Sequence, residues 1–223
     1  MLTDFPNLAR LFVLLVLALS LIMSLVYCFR KQCPPYLRVF PVYCFVSFSV
    51  EMLVNIYFYG ARGPGVTYLT LYNLFTVFEL SLFSWFLYHV IRSRRMRQVM
   101  ILLLLLYGWF FIQYTRANDI NRHLNKPAIV LESILLIIPC LVFFRELFIR
   151  PEPVDLLQEP SFWMVTGILF YFGSIFPYFL SMQYLETHGM ITISRTLYTI
   201  NNFSLAITHL LFIKGYTCRT RKS

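Results

Sequence analysis

Three carboxylates stand inside apolar runs of this 223-residue chain, Glu51, Glu79 and Glu132. A carboxyl group at the centre of a bilayer costs about 2.5 to 3.5 kcal/mol on insertion scales, so each one asks for a reason. The ordinary reason is a hydrogen-bonded joint between helices; the functional ones are a ligand contact or a station for a proton. A joint accounts for any one of the three as well as a site does. Their company tips the balance. At a rise of about 1.5 Å per residue, Glu51 and Glu79 lie roughly 12 Å, and Glu132 roughly 6 Å, from the outer ends of their runs. Asn55 is one helical turn from Glu51, Thr76 precedes Glu79 by three residues, and Asn201 and Asn202 stand a turn and a half into the last run. Four helices thus aim polar groups at one level. We expect an outward-facing polar pocket for a ligand or a proton, built on Glu51, Asn55, Glu79, Glu132, Asn201 and Asn202, with Tyr72, Tyr198 and Arg195 near its mouth.

Other chemistry finds little purchase. No Ser/His/Asp set, HExxH motif or pair of aspartates is present for intramembrane hydrolysis, so no catalytic residue is named and the reading leans away from an enzyme. The last apolar run has no mid-helix lysine for retinal, since Lys214 lies at its end. His89 and His209 fall on different helices as haem ligands do, but as a single pair without a glycine pattern, and no cofactor is expected. His123 and His188 lack a spacing partner and the five cysteines contain no CxxC pair, so no metal site is expected either.

The elements that must position these residues follow from composition. The chain is 59% hydrophobic and only 13% charged, more apolar surface than one soluble core of this length buries, and a bilayer is the natural solvent for the excess. Seven runs are long enough, or nearly so, to span one: 11–29, 39–59, 71–91, 98–115, 128–144, 162–184 and 196–213. The 19 Lys and Arg exceed the 10 Asp and Glu, yet they sit in short clusters between the runs rather than along one face, which argues for topology signals and against nucleic acid. Thirteen of the 19, including Arg30 and Lys31, Arg92 to Arg97 and the tail from Lys214 on, fall on one side of a seven-span chain. That side is expected to be cytoplasmic, with the N-terminus outside. Cys28, Cys33, Cys44, Cys140 and Cys218 all fall in the cytoplasmic half, consistent with reduced thiols of no chemical role.

The first run lacks a small-residue cleavage site and is expected to remain as a helix. Arg145 and Glu146 interrupt the fifth run's apolar character, which a helix continuing past the membrane would explain. The segment 150–160, with three prolines and three acids, is expected to be a connector holding at most a short helical turn. Pro139 and Pro177 lie inside the fifth and sixth runs and are expected to kink them. Thr166, Gly167, Phe170, Gly173, Ser174, Pro177 and Ser181 form one stripe for close packing. Spans one to three and five to seven have similar spacing about the fourth, a 3+1+3 layout within one transmembrane domain, residues 1–223.

At Leu71-Tyr72-Asn73-Leu74-Phe75-Thr76-Val77-Phe78-Glu79-Leu80, followed by Pro160-Ser161-Phe162-Trp163 and Gly167-Ile168-Leu169-Phe170-Tyr171-Phe172, the chain resembles small uncharacterised bacterial seven-helix membrane proteins. The resemblance implies the same all-α topology and a bacterial cytoplasmic (inner) membrane location. It also marks Asn73 and Glu79 as residues of interest, and it implies no activity.

Two functions compete. The first is a receptor-like or accessory membrane subunit that binds a small molecule or partner on its outer side and passes its state to a cytoplasmic or membrane protein, with the Arg92 to Arg97 cluster and the acidic connector as handles. The second is a small proton-coupled transporter. The layout resembles the sugar-permeating SWEET family in helix count and orientation, but that family's proline-glutamine signature is missing here.

Overall fold

The computed structural model describes residues 5–30, 33–59, 68–118, 124–149, 156–188 and 191–218. Among them are seven α-helices and no strand: α1 (Phe5–Arg30), α2 (Val39–Tyr59), α3 (Tyr68–Val90), α4 (Arg94–Ala117), α5 (Lys126–Phe148), α6 (Pro160–Thr187) and α7 (Ile191–Thr217). Six of them contain one of the apolar runs whole, α2 with the expected bounds, and α3 covers all of the run 71–91 but its last residue. The helices α1 to α6 are long and apolar enough to cross a membrane. Six such helices mark a membrane-embedded protein. The 27-residue α7 has the length, but its first half carries Ser194, Arg195, Thr196, Thr199, Asn201 and Asn202, which dilute its apolar character.

The outer surface is that of a protein solvated by hydrocarbon. Leu15 is 70% exposed, Leu105 67% and Trp109 66%, whereas the buried set includes Asn73, Glu79, Glu132, Thr208 and His209. Neighbouring contacts run α1 to α2 to α3, then α3 to α5, α5 to α6, α6 to α7, and α7 back to α1. Six helices therefore close a ring. The seventh, α4, lies outside it against α3 and α5.

Two pairs of ring neighbours run parallel. Tyr27 near the end of α1 meets Tyr216 near the end of α7, ring centroids 5.7 Å apart, and Phe12 meets Phe203 at 6.4 Å. For α3 and α5 the ties are hydrogen bonds at both ends. The backbone N–H of Asn125, just before α5, donates to Asn73 Oδ1 at 2.8 Å. At the other end Glu146 accepts from the N–H groups of Arg92 and Ser93 at 2.8 and 2.9 Å. Those are donors that a starting helix leaves without intrahelical partners, and a carboxylate is well matched to them. Ser93 itself caps α4 by accepting from Met96 N, and Asn125 caps α5 by accepting from Ala128 N.

The half of the ring toward the ends of α3 and α7 is filled by aromatic side chains. Phe40 packs edge-on to Phe86 at 4.9 Å and to Phe212 at 5.1 Å, Tyr43 lies 4.6 Å from Phe83, and Phe83 meets Phe172 at 5.9 Å. All six rings named here are essentially buried. Edge-to-face pairs at these spacings add roughly 0.5 to 1.5 kcal/mol each beyond area burial.

The α6 stripe divides in two. At Gly167 a Cβ would lie 2.7 Å from the Phe212 ring, and Thr208 Oγ1 donates to the Gly167 carbonyl at 3.3 Å, so α7 does approach closely there. Gly173 has nothing within 4 Å and Pro177 is exposed. That half of the stripe faces outward, its serines Ser174 and Ser181 donating to carbonyls of their own helix. Both α5 and α6 continue as helices through Pro139 and Pro177. As expected, α5 runs on through Arg145 and Glu146, and a helical turn forms at Leu156–Gln158 in the acidic connector.

Candidate functional site

The other half of the ring is hollow. A cavity of about 1010 Å³ lies between the helices, and its lining includes Glu51, Glu79, Glu132, Asn201 and Asn202. The sequence placed these residues around one pocket, and five of the seven residues it singled out share this wall. Of the other two, Asn55 has its side chain outside the described residues. Asn73 is buried, but its side-chain oxygen is engaged by Asn125 and it does not line the cavity. It positions rather than presents. Tyr72 and Thr76 line the cavity as expected, while the side chains of Tyr198 and Arg195 lie outside the described residues.

The three carboxyls occupy two levels, not one. Glu51 accepts a hydrogen bond from Tyr72 at 3.1 Å, and Glu79 accepts one from Tyr43 at 2.8 Å. Tyr72 precedes Glu79 by seven residues, roughly 10 Å along a helix. The single-level expectation is therefore corrected: Glu51 lies nearer the end where α3 begins, and Glu79 about two turns deeper. The reason is twofold. α3 starts at Tyr68, three residues before its apolar run, which supplies about 4.5 Å of the difference; the rest is the offset with which α2 and α3 pack, Tyr43 rather than Glu51 lying beside Glu79.

Glu132 joins Glu79 at the deeper level. The Asn73 to Asn125 bond sets the starts of α3 and α5 side by side; Glu79 follows Asn73 by six residues and Glu132 follows Asn125 by seven. In parallel helices those offsets bring the carboxyls to one height, within electrostatic reach of each other. They are 4% and 2% exposed, whereas Glu51 is half-buried. Among the described residues, Glu132 Oε1 and Asn201 Oδ1 have no hydrogen-bond partner. Arg10 is close enough to Glu51 for their charges to interact. Arg10 and Lys126 are the cations of the lining among the described residues, and both sit toward the level of Glu51, Arg10 by its interaction with Glu51 and Lys126 by standing six residues before Glu132.

No family model, curated protein or solved structure matches this chain. Its chemistry is therefore read from the cavity itself. Among the described residues no group of three His, Cys, Asp or Glu side chains could hold a metal ion. Of the two histidines weighed as haem ligands, His209 is fully buried and stacked on Tyr43 at 5.8 Å, while His89 is exposed beside Trp85 with its Nδ1 at the Trp85 carbonyl.

Sequence reading missed several lining or supporting residues. Tyr43 lies eight residues from Glu51 on α2, and nothing in spacing alone links it to Glu79 on α3. Tyr171, buried on α6, is near all three carboxyls. Tyr114, Asn118 and Tyr178 also line the cavity. With 15 tyrosines in the chain, residue type could not single these out; a count of helical turns from Asn125 could have paired Glu132 with Glu79.

Proposed function

We propose that this chain is a receptor-like or accessory membrane subunit of seven spans, N-terminus outside and C-terminus cytoplasmic, whose polar cavity opens to the outer side of a bacterial inner membrane. The supporting observation is the cavity, which gathers three carboxyls and two asparagines from α2, α3, α5 and α7. Packing alone is served by joints that close on each other, and among the described residues an acceptor of Glu132 and one of Asn201 have no donor. The orientation rests on charge. Arg92, Arg94, Arg95, Arg97 and Lys214 stand at the end remote from the cavity mouth, with Arg97 over the Tyr88 ring at 5.4 Å and Lys214 over that of Trp163 at 5.9 Å. That basic, aromatic-rimmed end has the composition of a cytoplasmic interface.

One observation favours a second reading, a small proton-coupled transporter. Glu79 is linked through the Tyr43 hydroxyl to a ring stacked on His209, and neither His209 nitrogen has a hydrogen-bond partner among the described residues. This carries titratable groups beyond the cavity, as a proton route requires. The ring order also suits a 3+1+3 layout, since exchanging α1, α2, α3 for α5, α6, α7 maps the α3 to α5 contact onto α7 to α1.

The test is gentle extraction of the tagged protein from native membranes, with mass spectrometry of what co-purifies, for wild type and Glu79→Gln. A stoichiometric protein partner that is lost in the variant supports the receptor-like reading. Protein that emerges alone, and moves a solute into liposomes, replaces it with the transporter.

A further inference from the structure

We infer that the cavity is a binding site for a protonated primary amine carrying an apolar or aromatic body. This rests on the reading of the cavity as a ligand site and adds the ligand's class. The deep level holds two carboxyls, Glu79 and Glu132, and Asn201, eight residues before the His209 that stacks on Tyr43 and so about 12 Å nearer the mouth, adds an amide to the same wall. Glu132 is the decisive one, because it is only 2% exposed, lines the cavity, and has a fully buried oxygen, Oε1, with no hydrogen-bond partner among the described residues. A buried unpaired carboxylate oxygen carries a desolvation cost that a charged donor removes, and charge-assisted bonds are about twice as strong as neutral ones.

The type of donor follows from the walls. Arg10 and Lys126 lie toward the mouth, so no cation of the described lining reaches the deep level. An anion would meet Glu79 and Glu132 there without a counter-charge, whereas an ammonium group brings both the charge and three N–H donors. A bare metal ion is disfavoured because no three suitable ligands converge among the described residues. Phe75, Tyr171, Phe172, Tyr178 and Phe179 line the same cavity, Tyr171 near all three carboxyls. Aromatic faces attract cations and accept an apolar body.

The test uses the full chain in lipid nanodiscs and three probes sharing one ring: tyramine, 4-ethylphenol, which lacks the ammonium, and 3-(4-hydroxyphenyl)propionate, which replaces it with a carboxylate. Calorimetric titration is expected to show saturable tyramine binding, weakened about tenfold or more when the ammonium is removed. Glu132→Gln, which keeps the shape, is expected to lower tyramine affinity by a similar factor. Asn201→Leu provides a second measure at another helix should the first variant elute as aggregate in size exclusion. Equal binding of tyramine and 4-ethylphenol, or tyramine affinity unchanged in both variants, overturns the inference. Saturable binding of the propionate in preference to tyramine overturns the amine class while leaving the cavity as a ligand site. Failure of all three probes to bind overturns the amine inference, and the co-purification experiment then judges the receptor-like reading separately.

Discussion

Acidic residues in an apolar run are visible at once; their partners are not. Glu79 was legible as a candidate from residue type and position, and the structure adds what type could not supply, the Tyr43 hydroxyl at 2.8 Å and the neighbouring Glu132. The cysteines show the same division. Their placement toward one end was readable, but the contact between Cys28 and Cys33, sulfurs 2.9 Å apart, was not, because residues five apart meet only where the chain leaves α1 and turns toward α2. Cys33 is buried, and burial with the Cys28 contact pushes its thiol up to about 12. The thiolate is the nucleophile. Alkylation of Cys33 by iodoacetamide is therefore expected to be slow at pH 8 and to climb about tenfold per pH unit toward pH 11. Peptide mass spectrometry over a pH series checks this; a rate already level near pH 8 would show that Cys33 is an ordinary exposed thiol.

Among the elements, existence was easier to read than register. Apolar length identified every helix, and the polar start of α7 cost only its first turn, since the helix begins at Ile191 rather than at Thr196. Depth measured from the ends of apolar runs failed, because helices extend past those ends by different amounts and the membrane imposes no common starting residue. Register is set instead by specific bonds, above all Asn73 to Asn125. Asn73→Ala leaves the Asn125 N–H buried without its acceptor, and a loss of about 1 to 3 kcal/mol in unfolding free energy is expected. Denaturation of the detergent-solubilised protein by increasing SDS measures it. An unchanged midpoint would mean that the aromatic half of the ring fixes α3 against α5 without this bond.

For the molecule as a whole, hydrophobicity dictates residence in a membrane, and the distribution of Lys and Arg is the ground for the orientation we propose. A phosphatase reporter that is active only when exported, fused after Ser223, is expected to stay silent, while a fusion in the segment 119–123 is expected to be active. The reverse pattern would turn the cavity toward the cytoplasm. The place of α4 follows from the same constraint. α3 and α5 are adjacent and parallel, and a chain that leaves one at its far side must recross the bilayer before it can enter the other. In a soluble α/β protein that return is made by a helix laid over the sheet. Here α4 is the return stroke. It stands outside the ring and lends Tyr114 and Asn118 to the cavity wall, so most of its surface faces lipid while the carboxyl-bearing pair beside it stays in direct contact.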